Sequence, residues 1–409
     1  MLKAISLYTG IGGLDFGFEA GGFETSVAIE IDKAACRTIR LNREWPVIER
    51  DIHEVSSNEI MEVAGVDKSE ADVLIGGPPC QPFSKSGYWA QGGSLRLDDP
   101  RSDTLTAYLR VLRDLKPKAF LLENVHGIAF KKKDEGLQYL LRGIDQINRE
   151  TGTNYSISWQ KLNAADYGVP QMRDRVFLIG SRGGEHFTFP MPTHGDTGAQ
   201  QKLFSETNLL PYKTVWDALG DLPQENLDPS LNVGGKWGDL LPSIPEGENY
   251  LWHTNRRGGK QLFGWRTRYW SFMLKLAKNK PSWTIQAQPG SAVGPFHWKN
   301  RKLSVHEMCR IQTFPDGLEF DSGRTDIQKM LGNAVPSLLA EVLAKEIRKQ
   351  FFSHSILTDA LELLPPVRKD VPSPERVKPL AEKYYKYIGE HDDHPGEGKG
   401  RRSKKQATN

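Results

Sequence analysis

The first 185 residues repeat one pattern: a short apolar run, then a segment of helical spacing or loop. The runs are Lys3 to Leu7, Thr25 to Glu30, Asp72 to Ile75, Ala119 to Leu122, Tyr155 to Leu162 and Arg175 to Gly180. Between them lie stretches such as Asp103 to Leu115, with Leu105, Tyr108, Leu109 and Leu112 on one helical face. Such alternation predicts an α/β fold with a mostly parallel, doubly wound sheet. From Gly183 to Lys280 the pattern breaks. Gly, Pro and Asn are frequent there, and strong periodicity survives only at Tyr269 to Leu276. Helical spacing returns at Ser304 to Gln312 and at Ser337 to Phe352. The domain boundaries expected from this are 1–185 for an α/β domain, 186–298 for a smaller irregular domain, and 299–352 for a return to the first. Residues 365–409, rich in Pro, Gly, Lys and Glu, are expected to form a disordered basic tail.

Two strand ends carry chemistry. Asp72 to Ile75 runs into Gly76-Gly77-Pro78-Pro79-Cys80, a rigid turn that presents a thiol, and a thiol so placed suits nucleophilic work. The strand Ala119 to Leu122 ends in Glu123-Asn124-Val125. A nucleophile and a carboxyl at neighbouring strand ends of one sheet define a pocket. At the first strand end, Tyr8-Thr9-Gly10-Ile11-Gly12-Gly13 reads either as an ordinary tight turn or as a backbone cradle for a ligand. Glu30, about 20 residues on, reads either as a solvated strand end or as a ribose ligand. One nucleoside half is present and no second one is evident.

Composition narrows the class. The net charge is only +3, yet Leu251 to His306 holds 11 Lys or Arg and no Asp or Glu, with nine aromatics among them. Basic residues interleaved with large rings suit a polyanion with stackable bases, though a solvated basic face is the plainer reading. Three scattered cysteines, Cys36, Cys80 and Cys309, give neither a disulfide framework nor zinc spacing. Cys36 and Cys309, on helix-like stretches, read as structural. No run of about 18 apolar residues occurs, and no signal-peptide stretch opens the chain, so an intracellular setting is expected.

In order along the chain these motifs resemble the DNA (cytosine-5)-methyltransferases, from about residue 3 to 350. The glycine turn at Gly10, Gly12 and Gly13 resembles the first motif. Glu30 with Ile31 resembles the second, and Arg50-Asp51-Ile52 the third. Pro79-Cys80-Gln81 through Phe83-Ser84, then Ser86-Gly87, resembles the catalytic loop. Asp99-Pro100-Arg101 to Leu105 and Glu123-Asn124-Val125 resemble the fifth and sixth motifs. Gln171-Met172-Arg173-Asp174-Arg175 matches the Q-x-R-x-R element. Arg301 to Gln312 and Gly332-Asn333-Ala334-Val335-Pro336 resemble the ninth and tenth. Tyr8 stands where the family usually has Phe, and Ile31 where it often has Trp.

The resemblance implies a Rossmann-like S-adenosylmethionine-dependent methyltransferase sheet with a smaller, irregular target-recognition domain. It implies S-adenosyl-L-methionine as cofactor, without a metal, held by Tyr8, Gly10, Gly12, Gly13, Glu30, Ile31, Asp51, Ile52, Pro79, Leu105, Asn333 and Val335. Cys80 is the implied nucleophile toward carbon 6 of cytosine, and Glu123 the group engaging N3 and the exocyclic amine. Arg175 would stabilise the activated base or the neighbouring phosphate, and Arg173 either assists or makes a structural salt bridge. Carbon 6 is buried in a stacked duplex, so the base must be flipped out. Ser84, Ser86, Gln91 and Gln171 are candidate DNA contacts near the pocket. In the basic region, Arg256, Arg257, Arg266 and Arg268 are candidates for guanine or phosphate. The implied partner is double-stranded DNA, met by a cytoplasmic bacterial monomer, with a cognate restriction endonuclease acting on the same site without a stable complex. The rivals are a transfer RNA cytosine-5 methyltransferase and a non-catalytic DNA-binding protein of the same fold.

Overall fold

The computed structural model describes residues 1–79, 103–125, 128, 135–197, 209–225, 228–266, 269–352 and 360–391. Its centre is a seven-stranded sheet. In chain order the strands are β1 (Leu2–Leu7), β2 (Phe23–Glu30), β3 (Val47–Glu49), β4 (Val73–Gly76), β5 (Ala119–Val125), β6 (Ser158–Asn163) and β8 (Asp174–Ser181). The short β7 (Gln171–Met172) lies outside this sheet. Across the sheet the order is β3-β2-β1-β4-β5-β8-β6. The first five strands are parallel, and β8 is antiparallel to both β5 and β6. All four residues of β4 are buried, as expected of a central parallel strand covered on both faces.

Two helical layers supply that cover. On one face α3 (Ser57–Ala64), α4 (Asp103–Leu115) and α5 (Glu135–Thr151) pack on Ile5, Leu7, Leu74, Phe120 and Leu122. On the other face α1 (Gly13–Ala20) meets α9 (Ser337–Phe351), which returns from the far end of the chain to cover Ala4, Val73, Ile75 and Leu121. The remaining helices are α2 (Lys33–Asn42), α6 (Val215–Leu219), α7 (Val305–Ile311) and α8 (Arg324–Asn333). The expected doubly wound sheet is therefore present, with one inversion at β8. That inversion matters for the site. Because β8 runs backwards, its first residues lie beside the carboxyl end of β5, with Val125 opposite Arg175.

From residue 228 to 298 the chain forms 3₁₀ turns and isolated bridges, with one two-residue strand among the described residues. The core of this stretch gathers Leu240, Leu241, Ile244, Tyr250, Leu262, Met273 and Phe296. The periodic stretch Tyr269 to Leu276 is not a helix. It forms isolated bridges instead, Phe272 with Val293 and Lys275 with Phe296. Strand β9 (Ser282–Trp283) pairs with β7.

The expected disorder from residue 365 is corrected for residues 365–391. The Pro365 carbonyl accepts from Lys213 Nζ at 2.6 Å, and the Arg368 amide donates to Asp217 Oδ1 at 2.7 Å. Glu375 lies 3.2 Å from both Lys278 and Lys299. Tyr384 is fully buried, stacks on Trp237 with centroids 5.5 Å apart, and donates to the Lys236 carbonyl at 2.9 Å. The segment's own composition is poor in core residues. Its order comes from a few side chains inserted into an apolar shelf around Trp237, which composition does not reveal. Tyr384→Ala is expected to cost about 3 kcal/mol of unfolding free energy. Urea denaturation followed by Trp fluorescence measures this, and a midpoint equal to the parent's would contradict the packing.

Candidate active site

Glu123 leaves the carboxyl end of β5, and Arg175 the start of β8. Their side chains meet at 2.7 Å (Arg175 Nε to Glu123 Oε1), both nearly buried. Arg173, two residues earlier, is wholly buried and donates to the Gly332 carbonyl at 2.8 Å and the Ile285 carbonyl at 3.5 Å. Burial pushes the Glu123 carboxyl above the ordinary carboxylate range and outweighs the pull of Arg175 and Arg173. Burial likewise pushes the Arg173 guanidinium well down, helped by Arg175 beside it. The result is a desolvated carboxyl with a guanidinium partner, able to exchange hydrogen bonds with a polar ring that displaces one of them.

The turn after β4 approaches this pair. A Cβ on Gly77 would stand 3.0 Å from Glu123 Oε2. The Pro78 carbonyl accepts from Asn124 Nδ2 at 3.4 Å, and the Pro79 carbonyl accepts from Thr104 Oγ1 at 3.3 Å. Cys80 follows directly. With Ser84, Ser86, Gln91 and Arg268 it lies outside the described residues. Asn124 and Thr104 were not singled out in the sequence. The signal for Asn124 was available: it alternates with Glu123 along one strand, so its side chain leaves the opposite face, toward the proline turn.

The cofactor candidates gather at the ends of β1 and β2. Gly10 and Gly12 take positive φ, 57° and 84°, and nothing lies within 4 Å of where a Gly10 Cβ would stand. Glu30 accepts from the amides of Gly10 (2.7 Å), Ile31 (2.9 Å) and Asp32 (2.7 Å). Its pKa is nevertheless raised, because burial outweighs those amides. The Tyr8 hydroxyl, the departure noted above, donates to the Thr104 carbonyl at 2.7 Å. Asp51 is half exposed, and its carboxyl is held below the usual range by the His53 amide and ring. Ile52 is buried, Ile31 is 61% exposed, and Leu105 is in the core behind Tyr8.

From the far end of the chain, Asn333 is exposed at the end of α8, and Val335 is buried. A Cβ on Gly13 would come within 2.4 Å of the Val335 carbonyl, so the two ends of the chain touch at the glycine turn. Lys329 on α8 also reaches Asp32 at 3.0 Å. An open, amide-rich turn beside a strand-end carboxylate fits a nucleoside with a charged tail. Among the described residues no group of His, Cys, Asp or Glu is placed to hold a metal. Gly13→Ala is expected to lose about 1–3 kcal/mol of stability through overpacking. It should also weaken S-adenosylmethionine binding severalfold in titration calorimetry, whereas parent-like affinity would mean the contact is not part of the cradle.

Among the DNA candidates, Arg256 lies over the Trp265 ring at 5.0 Å, and Arg266 over Tyr269 at 4.7 Å. Arg257 reaches Glu248 at 3.2 Å. DNA contact by Gln171 does not fit its placement. That residue is wholly buried, and its Oε1 accepts from the Ile285 amide at 3.4 Å. The 11 cations of the basic stretch are also not all available. Lys275, Lys278 and Arg301 are buried, the last two paired with Glu246 and Glu307. Cys36 and Cys309 are buried free thiols, each pushed up to about 12 chiefly by burial.

Fold and site together define a Rossmann-like methyltransferase. Similar folds are found in S. pombe Dnmt2 methyltransferase (TM-score 0.55, 18% identity, 86% of this chain and 99% of that one) and in the Entamoeba histolytica methyltransferase EhMeth (TM-score 0.55, 18% identity, 85% and 98%). Residues 2–349 match the family described as C-5 cytosine-specific DNA methylase, and the chain belongs to that family of DNA (cytosine-5-)-methyltransferases. It is 37% identical over 372 residues to the type II methyltransferase M.SacI of Streptomyces achromogenes, covering 85% of this chain and 93% of that one. It is 32% identical over 366 residues to the type II methyltransferase M.NgoFVII of Neisseria gonorrhoeae, covering 88% and 90%. The family takes its methyl group from S-adenosylmethionine. No helix among the described residues is long and apolar enough to cross a membrane.

Proposed function

We propose that this chain methylates carbon 5 of a flipped-out cytosine in a short, fixed sequence of double-stranded DNA, through a covalent bond from Cys80 to carbon 6. The observation that carries the reading is the buried Glu123–Arg175 pair at 2.7 Å beside the proline turn that leads to Cys80. Carbon 5 of cytosine is too weak a nucleophile alone. Addition of the Cys80 thiolate to carbon 6, with a proton held at N3 by Glu123, gives an enamine whose carbon 5 is nucleophilic. Glu123 also receives the exocyclic amine, which selects cytosine over thymine. Arg175 stabilises the ring while charge redistributes, and Arg173 acts as a positioning residue, pinning the start of β8 to Gly332 and Ile285. Bound S-adenosylmethionine supplies an electrophilic methyl group. Tyr8, Gly10, Gly12, Gly13, Glu30, Ile31, Asp51, Ile52, Pro79, Leu105, Asn333 and Val335 form its cradle. Loss of the carbon 5 proton to water then expels the Cys80 thiolate and restores the double bond.

Ser84, Ser86 and Gln91 are assigned to the space the base vacates. Arg256, Arg257, Arg266 and Arg268 are assigned to the DNA bound by the recognition domain (residues 186–298). Similarity to type II methyltransferases supports a modification role in a restriction–modification system, with the chain acting as a cytoplasmic bacterial monomer and a cognate endonuclease visiting the same site separately. Labelled S-adenosylmethionine offered with mixed-sequence duplex DNA and with bulk transfer RNA tests this. Label recovered as 5-methylcytosine in DNA is the expected result, and bisulfite sequencing then locates the site. Label in RNA only would move the substrate to transfer RNA. Label in neither, with DNA still bound, would make the chain a reader.

A further inference from the structure

The structure sorts the nine aromatics between Leu251 and His306. Phe296 and Trp298 are buried, and Trp252, Phe263, Trp265 and Phe272 are partly buried. Tyr269, Trp270 and Trp283 remain exposed, at 49%, 38% and 46%. Two of these three meet. The rings of Trp270 and Trp283, thirteen residues apart in sequence, lie edge to face with centroids 4.7 Å apart. Neither side chain enters a core, so apolar burial in the folded chain does not account for them.

Their backbones are held firmly. Asn249 Nδ2 donates to the Trp270 carbonyl at 2.6 Å. Trp283 sits in β9, in register with Met172, and Ser282 donates its amide to the Pro170 carbonyl at 2.9 Å. Thr284 Oγ1 adds a bond to the Met172 carbonyl at 2.7 Å. The pair is thus fixed one strand away from Met172, the residue before Arg173 and three before Arg175. The surrounding sequence has no acidic residue from Leu251 to His306, and the Arg266 guanidinium lies 4.7 Å over the neighbouring Tyr269 ring. Exposed paired indoles beside a ring-stacked arginine match an anionic ligand with flat apolar faces.

We propose that Trp270 and Trp283 form a stacking platform for a base of the bound DNA next to the flipped cytosine. The inference rests on the DNA-methylating reading above. Flipping leaves neighbouring bases unstacked, and indole faces replace part of the lost stacking. Each base–aromatic stack corresponds to about 5- to 150-fold in affinity. Trp270 and Trp283 are positioning residues and take no part in bond making.

The test uses the full chain and a duplex carrying its methylated site, with 2-aminopurine in place of the target cytosine. Trp270→Ala and Trp283→Ala should each raise the duplex Kd about tenfold and reduce the 2-aminopurine fluorescence that reports flipping. Trp283→Phe should recover most of both. Titration with S-adenosylmethionine alone should give parent affinity, and the melting temperature should stay close to the parent's. Duplex affinity and flipping within twofold of the parent in both alanine variants would overturn the platform, even where the parent methylates DNA normally. Reduced affinity accompanied by a large fall in melting temperature and unrecovered by Phe would overturn it too, since the rings would then serve protein packing. A parent that methylates no DNA would instead remove the reading beneath.

Discussion

Cys80→Ser is expected to lower single-turnover methyl transfer by a factor on the order of 10⁴ or more, with duplex affinity within a few-fold of the parent. A serine hydroxyl stays protonated at neutral pH, whereas a thiol with a pKa of about 8.5 is readily ionised by a modest favourable environment. The expected loss is confined to chemistry because the turn before residue 80 is fixed by other groups. Asn124 and Thr104 hold the carbonyls of Pro78 and Pro79, and neither bond involves the thiol. Nor can another cysteine take over. Cys36 and Cys309 are buried, and their thiols are pushed up to about 12. Incorporation of labelled methyl groups and a gel-shift titration on the same preparation measure the two quantities. Transfer within tenfold of the parent would remove Cys80 as the nucleophile.

Glu123→Gln should cost about 10²–10⁴ in the rate of the chemical step, and the pH profile should identify the reason. Burial holds the Glu123 carboxyl above the usual carboxylate range, so its protonated form survives to higher pH than at an exposed glutamate. If that proton is the one held at N3, the rate falls as the pH rises through the raised value. Ionisation of Cys80 has the opposite sign, since its thiolate and the rate both grow with pH. The parent profile should therefore be a bell, with the descending limb lost in Glu123→Gln and the ascending limb kept. A descending limb that persists in the variant would place the proton on another group.

Much of this architecture was legible in the chain. Strands with short apolar runs ending in glycine, proline or an acid, such as Val73–Gly76, stood out because a buried parallel strand has little freedom in composition. The strand ends bearing Glu30 and Glu123 were legible for the same reason. What escaped the sequence depends on pairing across long separations. The antiparallel placement of β8 beside β5, which brings Arg175 to Glu123, leaves no local mark. Gln171 looked like a DNA contact because polar residues are usually exposed, yet it is buried and accepts from the Ile285 amide. Lys278 looked like part of a DNA-facing surface, and its partner Glu246 lies 32 residues away.

The segment from Pro365 to His391 bears on which pieces of such a chain can be moved as a unit. The residues matched by the family end at 349, while the core around Leu240 and Tyr250 is completed by Tyr384 against Trp237. A cassette cut at residues 186 and 298 and moved into a relative would carry Trp237 without its covering ring. It would also leave Lys278 without Glu375. The unit around Trp237 is therefore built from two non-contiguous pieces. Recombination that moves one without the other yields a hybrid with an open apolar shelf at Trp237.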